Sequence, residues 1–152
     1  MAGTFDQNRD TNRELPGHRR HCTIMLAEDH VHFRHFIKAC LEGEDGVTVV
    51  GEAEDGLQLL DLLQNGHPDL IIMDITMPRL QGLEAARRIK KAYPDIKVLI
   101  LTMHNNREYL EEALAVGAEG FLLKEGADTE LVGAINKILQ GEIYITPLMA
   151  KA

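Results

Sequence analysis

Five short aliphatic runs, each followed by an amphipathic stretch, leave this chain few ways to fold. The runs are TIMLA (Thr23–Ala27), VTVVGEA (Val47–Ala53), LIIMD (Leu70–Asp74), KVLILT (Lys97–Thr102) and GFLLK (Gly120–Lys124). Most are nearly continuous rather than alternating, which marks parallel strands covered on both faces. The stretches between them carry helical spacing. VHFRHFIKACLEG sets Phe33, Phe36, Ile37, Cys40 and Leu41 on one face at i, i+3, i+4, i+7 and i+8. GLQLLDLLQNG carries Leu57, Leu59, Leu60, Leu62 and Leu63 and stops at Asn65-Gly66, a predicted C-cap. LEAARRIKKAY runs to Pro94, and NREYLEEALAVG ends at Gly117. DTELVGAINKILQG takes Asp128 or Thr129 as its predicted N-cap and ends at Gly141. Two helix-to-strand joints, GHPDLIIMD and AYPDIKVLILT, place Pro-Asp before the strand, and proline forces the preceding residue out of the helix. Five such units in series predict an open α/β sheet with helices on both sides.

The rest of the composition narrows the class. A chain of 152 residues is long enough for one domain with a real core. Residues 1–20 are polar and aperiodic and read as a flexible tail. The HRRHC stretch, His18 to Cys22, reads as a solvated basic entry to the first strand rather than a metal site. The net charge of -8 argues against nucleic-acid binding by this chain alone. Cys22 and Cys40 fall in no C-x-x-C or zinc-ligand pattern, so reduced thiols and a cytoplasmic setting are expected. No signal-peptide pattern is visible, and no apolar run reaches the roughly 18 residues of a membrane helix.

The polar residues at the strand ends carry the chemistry. The first strand ends at Glu28-Asp29, the third at Asp74, the fourth at Thr102 and the fifth at Lys124. Four of five strands therefore send an acid, a hydroxyl or an ammonium to one rim, where open α/β sheets bind ligands. Three carboxylates in one place repel. At about 4 Å and an effective dielectric near 20, each pair costs about 4 kcal/mol. Protonation of one acid relieves this, or a bound cation does. Carboxylates with a nearby carbonyl suit Mg²⁺, which shares its shell with water and phosphate. Thr102 offers a donor and Lys124 a point charge for phosphate oxygens. The set fits phosphoryl transfer, with Asp74 as an acceptor that forms an acyl phosphate.

These residues resemble the receiver domain of two-component response regulators, over about Cys22 to Gly141. Glu28-Asp29 resembles the family's acidic pair, Asp74 in DITMP its phosphoacceptor, Thr102 its switch hydroxyl and Lys124 its invariant lysine. Phe121 resembles the switch aromatic, and Gly82 closes MPRLQG, similar to the family's M-P-x-x-x-G. AEDH, LTMH, EYLEEALAVGAEGFLLKE and GEIYITP are similar to the LuxR-type (NarL/FixJ) subfamily. The resemblance implies a flavodoxin-like (βα)5 fold: a doubly wound, parallel, five-stranded sheet in the order 2-1-3-4-5. It implies Mg²⁺ held by Asp29, Asp74 and the main-chain carbonyl of Thr76, with Glu28 acting through water. It implies a phosphohistidine on a sensor histidine kinase as donor, homodimerisation on phosphorylation, and transcription regulation. DNA would be bound only through a helix-turn-helix domain missing here. The receiver would then occupy residues 21–141, with 142–152 beginning a linker, and the chain would read as a truncated piece. It would be a self-catalysed phosphoacceptor with slow autodephosphorylation, not an enzyme.

Departures from the family pattern are few. The acidic pair is Glu-Asp where Asp-Asp is commoner, Met103 is bulkier than the usual small residue, and Phe121 lacks a hydroxyl. His30, His32 and His35 read as surface residues of the first helix and its entry, while His104 and Thr76 flank the site. Tyr109, Leu110 and Leu114 read as core or interface, with core favoured for the two leucines. Three rivals stand beside this reading. A haloacid-dehalogenase-type phosphatase needs D-x-D, and Thr76 replaces its second acid. A flavodoxin- or Rossmann-type nucleotide site needs a glycine-rich turn after the first strand, where EDH stands instead. An unphosphorylated interaction module has no use for the complete acidic, hydroxyl and lysine set.

Overall fold

The computed structural model describes residues 21–150. The tail read over residues 1–20, with most of the HRRHC stretch, lies outside the described residues. Strands and helices alternate: β1 (Cys22–Ala27), α1 (Val31–Glu42), β2 (Val47–Ala53), α2 (Gly56–Leu63), β3 (Leu70–Asp74), α3 (Gly82–Ala92), β4 (Lys97–Thr102), α4 (Arg107–Ala115) and β5 (Gly120–Leu123). A single 3₁₀ turn (Lys124–Gly126) leads into α5 (Ala127–Leu139), β6 (Tyr144–Ile145) and α6 (Pro147–Ala150). All neighbouring strands pair in parallel, in the order β2-β1-β3-β4-β5-β6. The expected order 2-1-3-4-5 is thus present, with a sixth strand that was not expected. Tyr144 pairs with Gly120 and Ile145 with Phe121, inside the segment read as the start of a linker.

Sheet position explains the strand compositions. Every residue of β3 and β5 is buried, and β1 and β4 each have one half-buried residue. β2 lies on an edge: Val47 to Val50 alternate between half-buried and exposed, and the strand closes on buried Ala53. Each Ile or Leu that β3 and β4 bury contributes about 1.5–3 kcal/mol. Two apolar clusters follow, one on each face. The first joins Met25, Ile71, Met73, Ile100 and Phe121 to Leu59 and Leu63 of α2, Ala85 and Ile89 of α3, and Leu110 of α4. The second joins Ile24, Leu70, Ile72 and Leu99 to Ile37 and Leu41 of α1 and to Leu131, Ile135 and Ile138 of α5.

The helix ends sort the expectations. Helix α4 ends through Gly117, whose N–H donates to Leu114 while Ala118 donates to Ala113. Helix α5 ends the same way through Gly141, with bonds to Ile138 and from Glu142 to Lys137. In both, a left-handed glycine closes the last turn. Two helix-cap expectations are corrected. Helix α2 ends at Leu63 with right-handed Gln64 as its cap, so Asn65-Gly66 does not form the cap. Helix α5 begins at Ala127 after Gly126, placing Asp128 and Thr129 inside the first turn. Phe36 is 41% exposed because the apolar stripe of α1 is wider than the strip the sheet covers. Leu110 is core, while Tyr109 and Leu114 are half-buried against it. No helix among the described residues is long and apolar enough to cross a membrane.

Candidate functional site

The C-terminal ends of β1, β3 and the 3₁₀ turn after β5 bring three charges together. Lys124 Nζ lies 2.7 Å from Glu28 Oε1 and 3.1 Å from Asp74 Oδ2. All three side chains are more than 90% buried, so the contacts are weakly screened. The second oxygen of each carboxylate takes a backbone donor. Thr76 N–H donates to Asp74 Oδ1 at 3.2 Å, and His30 N–H donates to Glu28 Oε2 at 3.0 Å. Burial pushes the Glu28 carboxyl above its ordinary value, against the lowering effect of its bond from Lys124. The ammonium also sits 4.7 Å from the centre of the Phe33 ring, a cation–π contact.

A cleft of about 160 Å³ opens beside this cluster, lined by Asp29, His30, Asp74, Thr76, Met103, His104 and Lys124. Asp29 is exposed, and Glu28, Asp29 and His30 offer ligand atoms within 4.8 Å of one another. The β3–α3 loop keeps the cleft's other wall close to the sheet. Gly82 N–H donates to the Ile75 carbonyl at 2.8 Å, and a β-carbon on Gly82 would overlap the carbonyl oxygen of Asp74. Only glycine fits at that approach.

The remaining expected residues stand further off. Thr102 is fully buried at the end of β4, and its hydroxyl accepts the His104 N–H at 3.0 Å rather than meeting Asp74 or Lys124. Phe121 is fully buried in the cluster beneath α2, α3 and α4, away from the cleft. His30, His32 and His35 are exposed, as read. His104 is exposed at the rim, with its ring 5.6 Å from that of Tyr109.

Two supports went unread in the sequence. Arg34 of α1 is buried, donates to the Glu28 carbonyl at 2.6 Å and pairs with Glu52 at 3.1 Å. Asp55 caps α2 by accepting the Gln58 N–H at 2.8 Å, and it pairs with Arg79 across the loop. The cap was legible from an aspartate standing just before GLQLL. The pairings with Glu52 and Arg79 had no local signal.

The family model described as the response regulator receiver domain matches residues 24–136. The chain belongs to that family. Its relatives and structural neighbours place it further among the LuxR-type response regulators. It is 40% identical over 124 residues to the transcriptional regulatory protein DegU of Brevibacillus brevis, covering 82% of this chain and 52% of the relative. It is 38% identical over 127 residues to the oxygen regulatory protein NreC of Staphylococcus carnosus, covering 83% and 58%. A solved LuxR-family two-component response regulator from Aurantimonas sp. SI85-9A1 superposes with a TM-score of 0.82 at 35% identity, covering 86% of this chain and 93% of that one. The isolated receiver domain of RcsB from Salmonella enterica serovar Typhimurium, with the phosphomimetic BeF3-, gives 0.81 at 30% identity, covering 87% and 98%. The chain spans between half and three fifths of the length of these curated relatives.

Proposed function

We propose that this receiver accepts a phosphoryl group on Asp74 from a phosphohistidine of a sensor histidine kinase, in a Mg²⁺-dependent step. The observation that carries the reading is Lys124, buried between the Glu28 and Asp74 carboxylates at the mouth of an acidic cleft. In the step, an Asp74 oxygen bonds to phosphorus and the nitrogen–phosphorus bond of the donor breaks. The electron pair returns to the donor's imidazole, and the product is an acyl phosphate. Lys124 exchanges part of its contact with Asp74 for the incoming phosphoryl oxygens. Thr102 keeps its hydroxyl proton free to donate, since its oxygen accepts from His104.

The donor set fits a hard divalent cation, because Glu28, Asp29, Asp74 and a carbonyl supply only oxygen. Asp29, Asp74 and the Thr76 main-chain carbonyl would hold Mg²⁺, with Glu28 acting through water. When bound, the ion neutralises charge shared between the carboxylates and the phosphoryl group. His104 and Thr76 at the rim set the access of water to the acyl phosphate. The chain thus acts as a self-catalysed phosphoacceptor rather than a turnover enzyme.

Output follows from what lies behind the site. A phosphoryl group adds about -1.5 to -2 charges. It draws Thr102 and Lys124 inward, and Phe121 and the face of α4 repack. Converting a 1:99 mixture to 99:1 takes about 5.5 kcal/mol. One charge-assisted bond supplies about 1.5–3 kcal/mol, so several contacts act together. The readout is homodimerisation, and RcsB is a neighbour solved as dimers bound to DNA. DNA binding for transcription regulation would belong to a helix-turn-helix domain outside these 152 residues. A cytoplasmic setting suits Cys22 and Cys40, which are not joined in a disulfide. The test is incubation with a small phosphodonor and Mg²⁺, read by intact mass. One phosphoryl adduct that disappears in Asp74→Asn is expected; an adduct that persists in that variant, or none in the wild type, overturns the assignment.

A further inference from the structure

One backbone position is strained with no glycine to relieve it. Arg79 has φ 66°, the only positive value at a non-glycine residue among those described. Leu80 N–H donates back to the Pro78 carbonyl at 2.7 Å, a tight γ-turn centred on Arg79. Such a conformation persists only when its surroundings hold it. Here the guanidinium is the tether: Nε and Nη2 each lie 2.8 Å from Asp55 Oδ2. Asp55 is itself fixed, because it is buried and its other oxygen caps α2. A second contact closes the joint. A β-carbon on Gly56 would come within 2.5 Å of the Leu80 carbonyl oxygen, so the start of α2 abuts the turn.

The turn lies three residues beyond Thr76. Ile75 and Met77 point into the core on either side of exposed Thr76. Gly82 N–H on the Ile75 carbonyl fixes one end of the loop. The other end is fixed from α2. We propose that the Asp55–Arg79 pair is a positioning clamp that holds the β3–α3 loop so that the Thr76 main-chain carbonyl faces the divalent-cation site. The clamp rests on the receiver reading given above. Asp55 and Arg79 are positioning residues, since neither lines the cleft.

The clamp and simple charge effects make opposite forecasts. Arg79→Met removes a positive charge, which by Coulomb's law alone strengthens cation binding; Asp55→Asn removes a negative one and weakens it. A clamp requires both to weaken it. Asparagine caps a helix as well as aspartate, so Asp55→Asn leaves the start of α2 intact. The experiment is a Mg²⁺ titration of the full chain, followed through the amide resonances of Asp74 and Thr76. Thermal melts confirm that each variant is folded. Both variants are expected to bind Mg²⁺ roughly tenfold more weakly, as supports behind metal ligands do. Arg79→Lys should recover part of the loss, and phosphorylation at saturating Mg²⁺ should approach the wild-type rate. Unchanged affinity in both variants, or shifts of opposite sign, overturns the clamp alone. A wild type that neither binds Mg²⁺ nor is phosphorylated on Asp74 overturns the receiver reading and the clamp with it.

Discussion

Replacing Lys124 by methionine is the sharpest test of the buried charges. The ammonium lies 2.7 Å from one carboxylate and 3.1 Å from the other, and it is 8% exposed against 7% for each partner. Methionine fills most of the space but leaves two acids facing each other without a cation. Breaking a buried pair by removing one partner costs about 3–5 kcal/mol. Against a typical total of about 5–15 kcal/mol, that is a large fraction of the fold's stability. Glu28 has a route of escape. Burial already holds its carboxyl above 4.5, and the bond from Lys124 is the largest influence pulling it back. Without the lysine it rises further. A raised folded-state value contributes stability that is complete below 4.5 and is lost as pH rises through that value. Lys124→Met is therefore expected to lie closest to wild type near pH 4.5 and furthest at neutral pH. Urea denaturation followed by far-ultraviolet circular dichroism reads this directly, which suits a chain without tryptophan. Mg²⁺ should restore part of the loss at neutral pH, because a ligand of the folded state stabilises it. A loss below about 1 kcal/mol, the value of a surface pair, refutes the reasoning. So does an equal loss at both pH values.

Two further outcomes are expected. Gly82→Ala should lower the melting temperature markedly or prevent soluble expression, because the added carbon meets backbone rather than a flexible side chain; a melt within a degree or two of wild type would show that the β3–α3 loop yields. Asp55→Ala should cost about 1 kcal/mol from the lost cap at neutral pH. The Asp55 carboxyl lies below its ordinary 3.8, chiefly through the Gln58 backbone bond, so its contribution is present above 3.8 and lost as pH falls through the folded-state value. Melts of both proteins should converge in acid, and a gap that widens there would contradict the assignment.

What could be read in advance divides along physical lines. β3 and β4 were legible because a strand buried on both faces has no polar alternation to confuse its bounds. Glu28, Asp74 and Lys124 were legible because a polar residue ending such a strand must reach the rim of the sheet. β6 was not, since two residues after a helix-ending glycine carry no period, and its place depends on the free edge of β5. The exposure of Phe36 was not legible, because helical spacing defines a stripe but not how much of it the sheet covers. Arg34 with Glu52, and Asp55 with Arg79, join residues 18 and 24 positions apart, where only the folded chain makes them neighbours.

The central strand has one last implication. β3 lies between β1 and β4, and every one of its residues is covered. Its amides should be among the slowest in the molecule to exchange with deuterium, since they open only when the whole domain does. The residue at its tip is thus mounted on a fixed post, whereas Lys124 stands on a single 3₁₀ turn nearer the margin of the sheet. Deuterium uptake that changes on modification should therefore appear in the turns after β4 and β5 and leave Leu70 to Met73 silent.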